Sequence, residues 1–71
     1  MFTDKFVELL QSREVKAYRV AKETNISQGQ MGYYFRGERI PTAENLVKIA
    51  DFFDVSVDYL LGRTDNPEIN R

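Results

Sequence analysis

The sequence predicts an all-α fold, a compact bundle of five short helices. Apolar residues recur at helical spacing along nearly the whole chain. Each such stretch lies between a residue that starts helices and one that ends them. No stretch sustains period-two alternation. Val55 to Leu61 alternates briefly, but the capping Ser56 within it and Gly62 after it favour a helical turn.

The first helix carries Phe2, Phe6, Leu9, Leu10 and Arg13 on one side, with Thr3 as a plausible cap. The second runs from about Ala17 to Thr24, with Val20, Ala21 and Thr24 facing inward. Asn25 follows it, and asparagine tolerates the left-handed conformation that ends helices. Ser27 caps a third helix, about Gln28 to Phe35, which Gly37 ends. Ile40-Pro41-Thr42 restarts the chain, with Thr42 capping a fourth helix whose inner side is Leu46, Ile49, Ala50 and Phe53. Asp54 takes the helix-ending position. Ser56 caps a last short helix through Leu61, and Gly62 stops it. The expected division is therefore a folded unit at 1–62 and a polar tail or linker start at 63–71, which contains Asn66-Pro67.

Composition narrows the chemistry. The 71 residues contain neither cysteine nor histidine, which removes disulfides, thiolate metal sites, Cys nucleophiles and His-based acid–base catalysis. A zinc site would have carboxylates alone, so no metal or other cofactor is expected. Ser12, Ser27 and Ser56 lack a histidine to activate them. Asp51, Asp54 and Asp58 are spaced for helix ends and solvent rather than for catalysis. No apolar run approaches the roughly 20 residues of a membrane span. Asp4, Lys5 and Glu8 interrupt any secretory signal. The expectation is a cytoplasmic, non-enzymatic domain with no membrane partner.

Val15 to Gly37 is the informative stretch. Two short helices joined by the tight turn Thr24-Asn25-Ile26-Ser27 form a helix-turn-helix arrangement. Ala21 is small and lets the two helices approach closely, while Ile26 and Met31 fill the angle between them.

Here the chain resembles the lambda-repressor and Cro type of helix-turn-helix domain. The resemblance rests on Val20-Ala-Lys-Glu-Thr-Asn-Ile-Ser27, then Met31, Tyr34 and Arg36-Gly37. Residues 40–62 then look like that family's fourth and fifth helices. The match spans about residues 5 to 62, and several spaced features agree in order. It implies a lambda-repressor-like five-helix bundle that binds double-stranded DNA as a transcriptional regulator, with a prophage-type repressor the leading expectation. In the family the third helix lies in the major groove, and dimers read two half-sites about one helical turn apart. A homodimer on a palindromic operator is the corresponding expectation; Phe52 and Tyr59 sit beside core positions and read first as peripheral core, with a dimer contact the alternative if that pair is exposed. The resemblance also places Lys16, Ala17 and the loop from Arg36 to Arg39 against the phosphate backbone. Relatives often carry Gln near the position of Ala17, so one common contact is missing here. Relatives often carry an Arg–Glu ion pair where this chain has Leu10 and Phe35, so a hydrophobic contact is expected instead.

The residues of the third helix agree with that placement. At about 100° per residue, Met31, Tyr34 and Phe35 cluster on the core side. The opposite side carries Gly29, Gly32 and Tyr33, with Gln28 and Gln30 at its margins. These five are the expected base-facing set. Glutamine donates and accepts together and pairs bidentately with adenine N6 and N7. Tyr33 can set its ring against a thymine methyl or its hydroxyl on a phosphate. Each glycine costs about 1 kcal/mol relative to Ala within a helix. Close approach of DNA would explain them, and drift on an undemanding surface is the alternative.

Charge follows the same division. Total charge is −1, yet the stretch Lys16 to Arg39 holds five basic and two acidic residues, and the rest holds five basic and nine acidic. A modestly cationic side suits phosphate contact without general stickiness. The expected phosphate-contacting set is Lys16, Ala17, Arg19, Ser27, Arg36 and Arg39. Gly29-Gln-Met-Gly32 matches the GxxG loop of RNA-binding KH domains, but the strands of that fold are missing. Asn25-Ile-Ser27 is a formal glycosylation sequon without a secretory signal. The competing function is an antitoxin-like or adaptor module that uses the same fold to bind protein.

Overall fold

A computed structural model describes residues 2–69. Its five helices are α1 (Phe2–Ser12), α2 (Ala17–Thr24), α3 (Gln28–Arg36), α4 (Ala43–Phe53) and α5 (Val57–Leu60). Among the described residues there is no strand.

Local capping chemistry sets most boundaries. The side chains of Ser27, Thr42 and Ser56 each accept a hydrogen bond from the backbone N–H three residues on, at Gln30, Asn45 and Tyr59. The far ends are equally regular. Glu14, Asn25, Gly37, Asp54 and Gly62 all have positive φ. In each case the next residue returns an N–H to a carbonyl five positions back. The bonds are Val15 to Leu10 at 2.9 Å, Ile26 to Ala21 at 3.1 Å, Glu38 to Tyr33 at 2.9 Å, Val55 to Ala50 at 3.0 Å and Arg63 to Asp58 at 2.8 Å. This is the Schellman arrangement, and it satisfies carbonyls that the helix end would otherwise leave open. Val15, Ile26 and Val55 follow the three non-glycine turns, and each packs on or in the core.

The core is apolar throughout. Phe6, Val20, Ile49 and Leu60 are completely buried, and among the described residues no polar or charged residue is buried. An aromatic run ties the helices together. Tyr34 of α3 meets Phe2 edge-on at 6.3 Å, Phe2 stacks on Phe6 at 5.3 Å, and Phe6 meets Phe53 of α4 edge-on at 6.2 Å. Each such pair contributes about 1 kcal/mol beyond its buried area. α3 is thus fixed to α1, and through it to α4, by its inner side. Arg13 adds a polar tie: its Nη1 donates to the carbonyl of Phe53 at 3.0 Å, at the end of α4.

Three expectations need correction. Thr3 is not a cap but lies within α1, because the helix already includes Phe2, whose ring must reach Phe6 one turn on. Phe35 does not join Met31 and Tyr34 in the core; it is 47% exposed. The chain at the α1–α2 junction falls short of it and leaves an open cavity of about 340 Å³ lined by Val7, Leu10, Val15, Ala17 and Phe35, among others. α5 ends at Leu60, one residue early, with Leu61 as its cap. Phe52 and Tyr59 pack at the edge of the core, as their positions beside it imply. Phe52 packs edge-on against Phe53 at 5.0 Å, and the Lys5 ammonium lies 4.6 Å from the centre of the Tyr59 ring. The polar tail also makes a tertiary contact, since the Pro67 carbonyl accepts from the Ser56 N–H at 2.9 Å. Positions 70 and 71 of that tail lie outside the described residues.

Candidate nucleic-acid interface

The α2–turn–α3 unit is built from its smallest residues outward. Ala21 is buried at the meeting of the helices, where a larger side chain would push them apart. Asn25 adopts the left-handed conformation, Ile26 drops into the core, and Ser27 opens α3. Thr24 turns its hydroxyl back to the Val20 carbonyl at 2.6 Å. Met31 and Tyr34 then anchor α3, which leaves its other side outward.

The expected base-facing residues line that outward side, with Gln28 and Gln30 at its two margins. Gln28, Gly29, Gln30 and Tyr33 are exposed, and Gly32 is half-covered. The cover on Gly32 is the Arg36 side chain, since a methyl group added there would stand 3.0 Å from Arg36 Nη1. Nothing comes within 4 Å of the same position on Gly29. Gln28 Nε2 donates to the Tyr18 carbonyl of α2 at 3.1 Å. Gln30 Oε1 accepts from Asn45 Nδ2 of α4 at 3.4 Å, and the same Nδ2 donates to the Tyr34 hydroxyl at 2.9 Å.

The C-terminal end of α3 gathers charge. Arg36 Nε donates to Glu38 at 2.7 Å. The Arg36 and Arg39 guanidinium groups lie 5.4 Å and 4.6 Å from the centre of the Tyr33 ring. The hydrogen bond from Arg36, followed by its charge, holds the Glu38 carboxyl below its ordinary range, and the same bond raises Arg36 further. Both groups are solvent-exposed, so the pair is replaceable rather than structural.

The remaining expected phosphate contacts are more scattered. Lys16 is exposed and precedes α2, while Ala17 is half-buried. Lys16 and Phe35 line one cavity, so the start of α2 stands beside the end of α3. Arg19 is exposed but paired with Glu23 along α2. The Ser27 hydroxyl serves as the α3 cap. Leu10 and Phe35 line the same cavity, which puts apolar surface where a polar pair was the alternative. Asn45, the Tyr18 carbonyl and the pairing of Glu38 with Arg36 were not expected at the site. Each is identified only by a contact across the fold or the loop.

Known proteins share this helix-turn-helix unit. The helix-turn-helix family model matches residues 8–60. The uncharacterized HTH-type transcriptional regulator YobD of Bacillus subtilis is 31% identical over 68 residues, covering 96% of this chain and 61% of that protein. The cryptic phage CTXphi transcriptional repressor RstR of Vibrio cholerae is 49% identical over 45 residues, 63% of this chain and 40% of that one. The HTH-type transcriptional regulator ImmR of Bacillus subtilis is 32% identical over 60 residues, 80% of this chain and 47% of that one. The chain thus spans between 40% and 61% of the length of these relatives. No solved structure gives a significant match. Among the described residues, no helix is long and apolar enough to cross a membrane.

Proposed function

Because this chain belongs to the helix-turn-helix family of Cro and lambda-repressor type, we propose that it binds double-stranded DNA sequence-specifically, with α3 in the major groove, and acts as a prophage-type repressor. The observation that carries the reading is the make-up of α3. Its inner side is locked into the core, and its outer side presents two amides and a phenol, with two arginines at its end. A groove about 12 Å wide admits such a helix, and the open space over Gly29 brings its backbone close to base edges.

In this reading Gln28, Gln30 and Tyr33 touch bases, and Gly29 and Gly32 give clearance. Lys16, Arg19, Arg36 and Arg39 meet phosphates, with the Ala17 and Ser27 backbone beside them. A phosphate oxygen replaces the Glu38 carboxylate on Arg36, exchanging one charge-assisted hydrogen bond for another. No step is catalytic and no cofactor takes part. Two copies related by a two-fold axis read a palindromic operator, with half-sites about 34 Å apart.

Titration of fluorescent duplexes at about 50 and 200 mM salt tests this. Four basic side chains on phosphates give a log–log slope of roughly −3.6 per monomer, a loss of about 10²-fold over that range. An enriched palindromic duplex is expected to bind far more tightly than random duplex. Absence of binding to either at low salt would overturn the reading and favour a protein-binding module.

A further inference from the structure

The two glutamines of α3 are held by opposite ends of their amides. A glutamine amide accepts at Oε1 and donates twice from Nε2. Gln28 has its nitrogen tied to α2, through the Tyr18 carbonyl, and its oxygen unclaimed among the described residues. Gln30 has its oxygen tied to α4, through Asn45, and its nitrogen unclaimed among the described residues. The two positions stand about 200° apart around the helix, so each leans toward a different neighbour.

The hold on Gln30 originates in the core. Tyr34 is 4% exposed and fixed edge-on against Phe2. Its hydroxyl accepts from Asn45 Nδ2 at 2.9 Å, and that nitrogen stands against α3. Nδ2 also carries the second hydrogen that meets Gln30 Oε1. With Oε1 turned toward Asn45, the Gln30 amide carries its nitrogen on the side away from α4, so its donors lead outward.

We propose that Asn45, through this contact, is a specificity-determining positioning residue that makes Gln30 a donor to guanine. The inference rests on the DNA-binding reading above. Guanine offers two adjacent acceptors, N7 and O6, to a pure donor, whereas adenine pairs bidentately only with an amide that also turns its oxygen outward. Gln28 keeps a free oxygen and one free N–H, so it retains the adenine pairing. α3 therefore reads a G·C pair with Gln30 and an A·T pair with Gln28.

Selection of half-sites from a random duplex pool tests this with the wild type and with Gln28→Ala, Gln30→Ala, Asn45→Asp and Asn45→Ala. The base pair each glutamine reads is the position that loses preference in its alanine variant. Asn45→Asp keeps a partner for the Tyr34 hydroxyl and accepts from Gln30 Nε2, freeing Oε1. Asn45→Ala simply releases Gln30. Both variants are expected to move the Gln30 position from G·C to A·T by about 10-fold or more in relative affinity, with the Gln28 position unchanged. An A·T pair at the Gln30 position in the wild type would overturn the proposal. So would an unchanged preference there in both Asn45 variants, or no position that depends on Gln30. In those cases selective DNA binding survives. Failure of the wild type to enrich any duplex would instead overturn the DNA-binding reading together with this one.

Discussion

The two ends of α3 are held by different kinds of force. At its start, Ser27 caps the helix, and Gln28 and Gln30 each reach a neighbouring helix. At its end, Arg36, Glu38, Arg39 and Tyr33 hold mainly one another, all within reach of water. The first arrangement fixes side-chain geometry through the fold. The second keeps charges close but exchangeable, since exposed ion pairs contribute little and yield to salt. That division suits a helix that must read bases with fixed groups and grip phosphates with adaptable ones.

Removing what both ends stand on should have the largest effect. Met31 is buried under the middle of α3, and Met31→Ala is expected to cost about 3 kcal/mol in urea unfolding. A loss below about 1 kcal/mol would mean that α3 is not anchored there. Next comes a direct contrast between the ends. Ser27→Ala should cost about 1 kcal/mol as a lost cap, whereas Glu38→Gln should leave stability almost unchanged. Equal effects would erase the distinction.

The glycines sharpen the same contrast. Gly29→Ala meets open space and should stabilise the free domain by roughly 0.5–1 kcal/mol in thermal unfolding. Gly32→Ala should gain less, because the Arg36 guanidinium must shift from its seat. Both should weaken binding to an enriched duplex if the helix backbone approaches DNA closely. Unchanged affinity in both would leave the glycines as surface drift. The smallest effect concerns pH. Arg36 lowers the Glu38 carboxyl, so the pair's contribution is present above the ordinary glutamate range and fades as pH falls through the lowered value. A carboxyl titration by NMR should place Glu38 below an unfolded reference peptide, and Arg36→Gln should move it back toward that reference, with Arg39 still lowering it.

Much of this fold is legible in the sequence because its signals are local. Ser27, Thr42 and Ser56 cap helices through bonds spanning three residues, and Asn25, Gly37, Asp54 and Gly62 end them. Glu14 takes the same left-handed conformation without announcing it, since glutamate has no preference for it. The turn is held by the Val15-to-Leu10 bond and by Val15 on the core. Phe35 misleads because periodicity gives a direction, not the presence of a neighbour to pack against. At the interface, the identities along α3 follow from the helix-turn-helix pattern. The orientation of their amides does not, because Asn45 lies 15 residues beyond Gln30 and Tyr18 lies 10 before Gln28.

Backbone amide shifts of the protein titrated with an enriched duplex test the central claim most directly. Docking through α3 predicts the largest shifts at Gln28–Tyr33, with a second set at Lys16–Arg19 and Arg36–Arg39, and little change at Asp51, Asp58 or Tyr59. Shifts concentrated on Val47 and Phe52, with α3 unmoved, would contradict it.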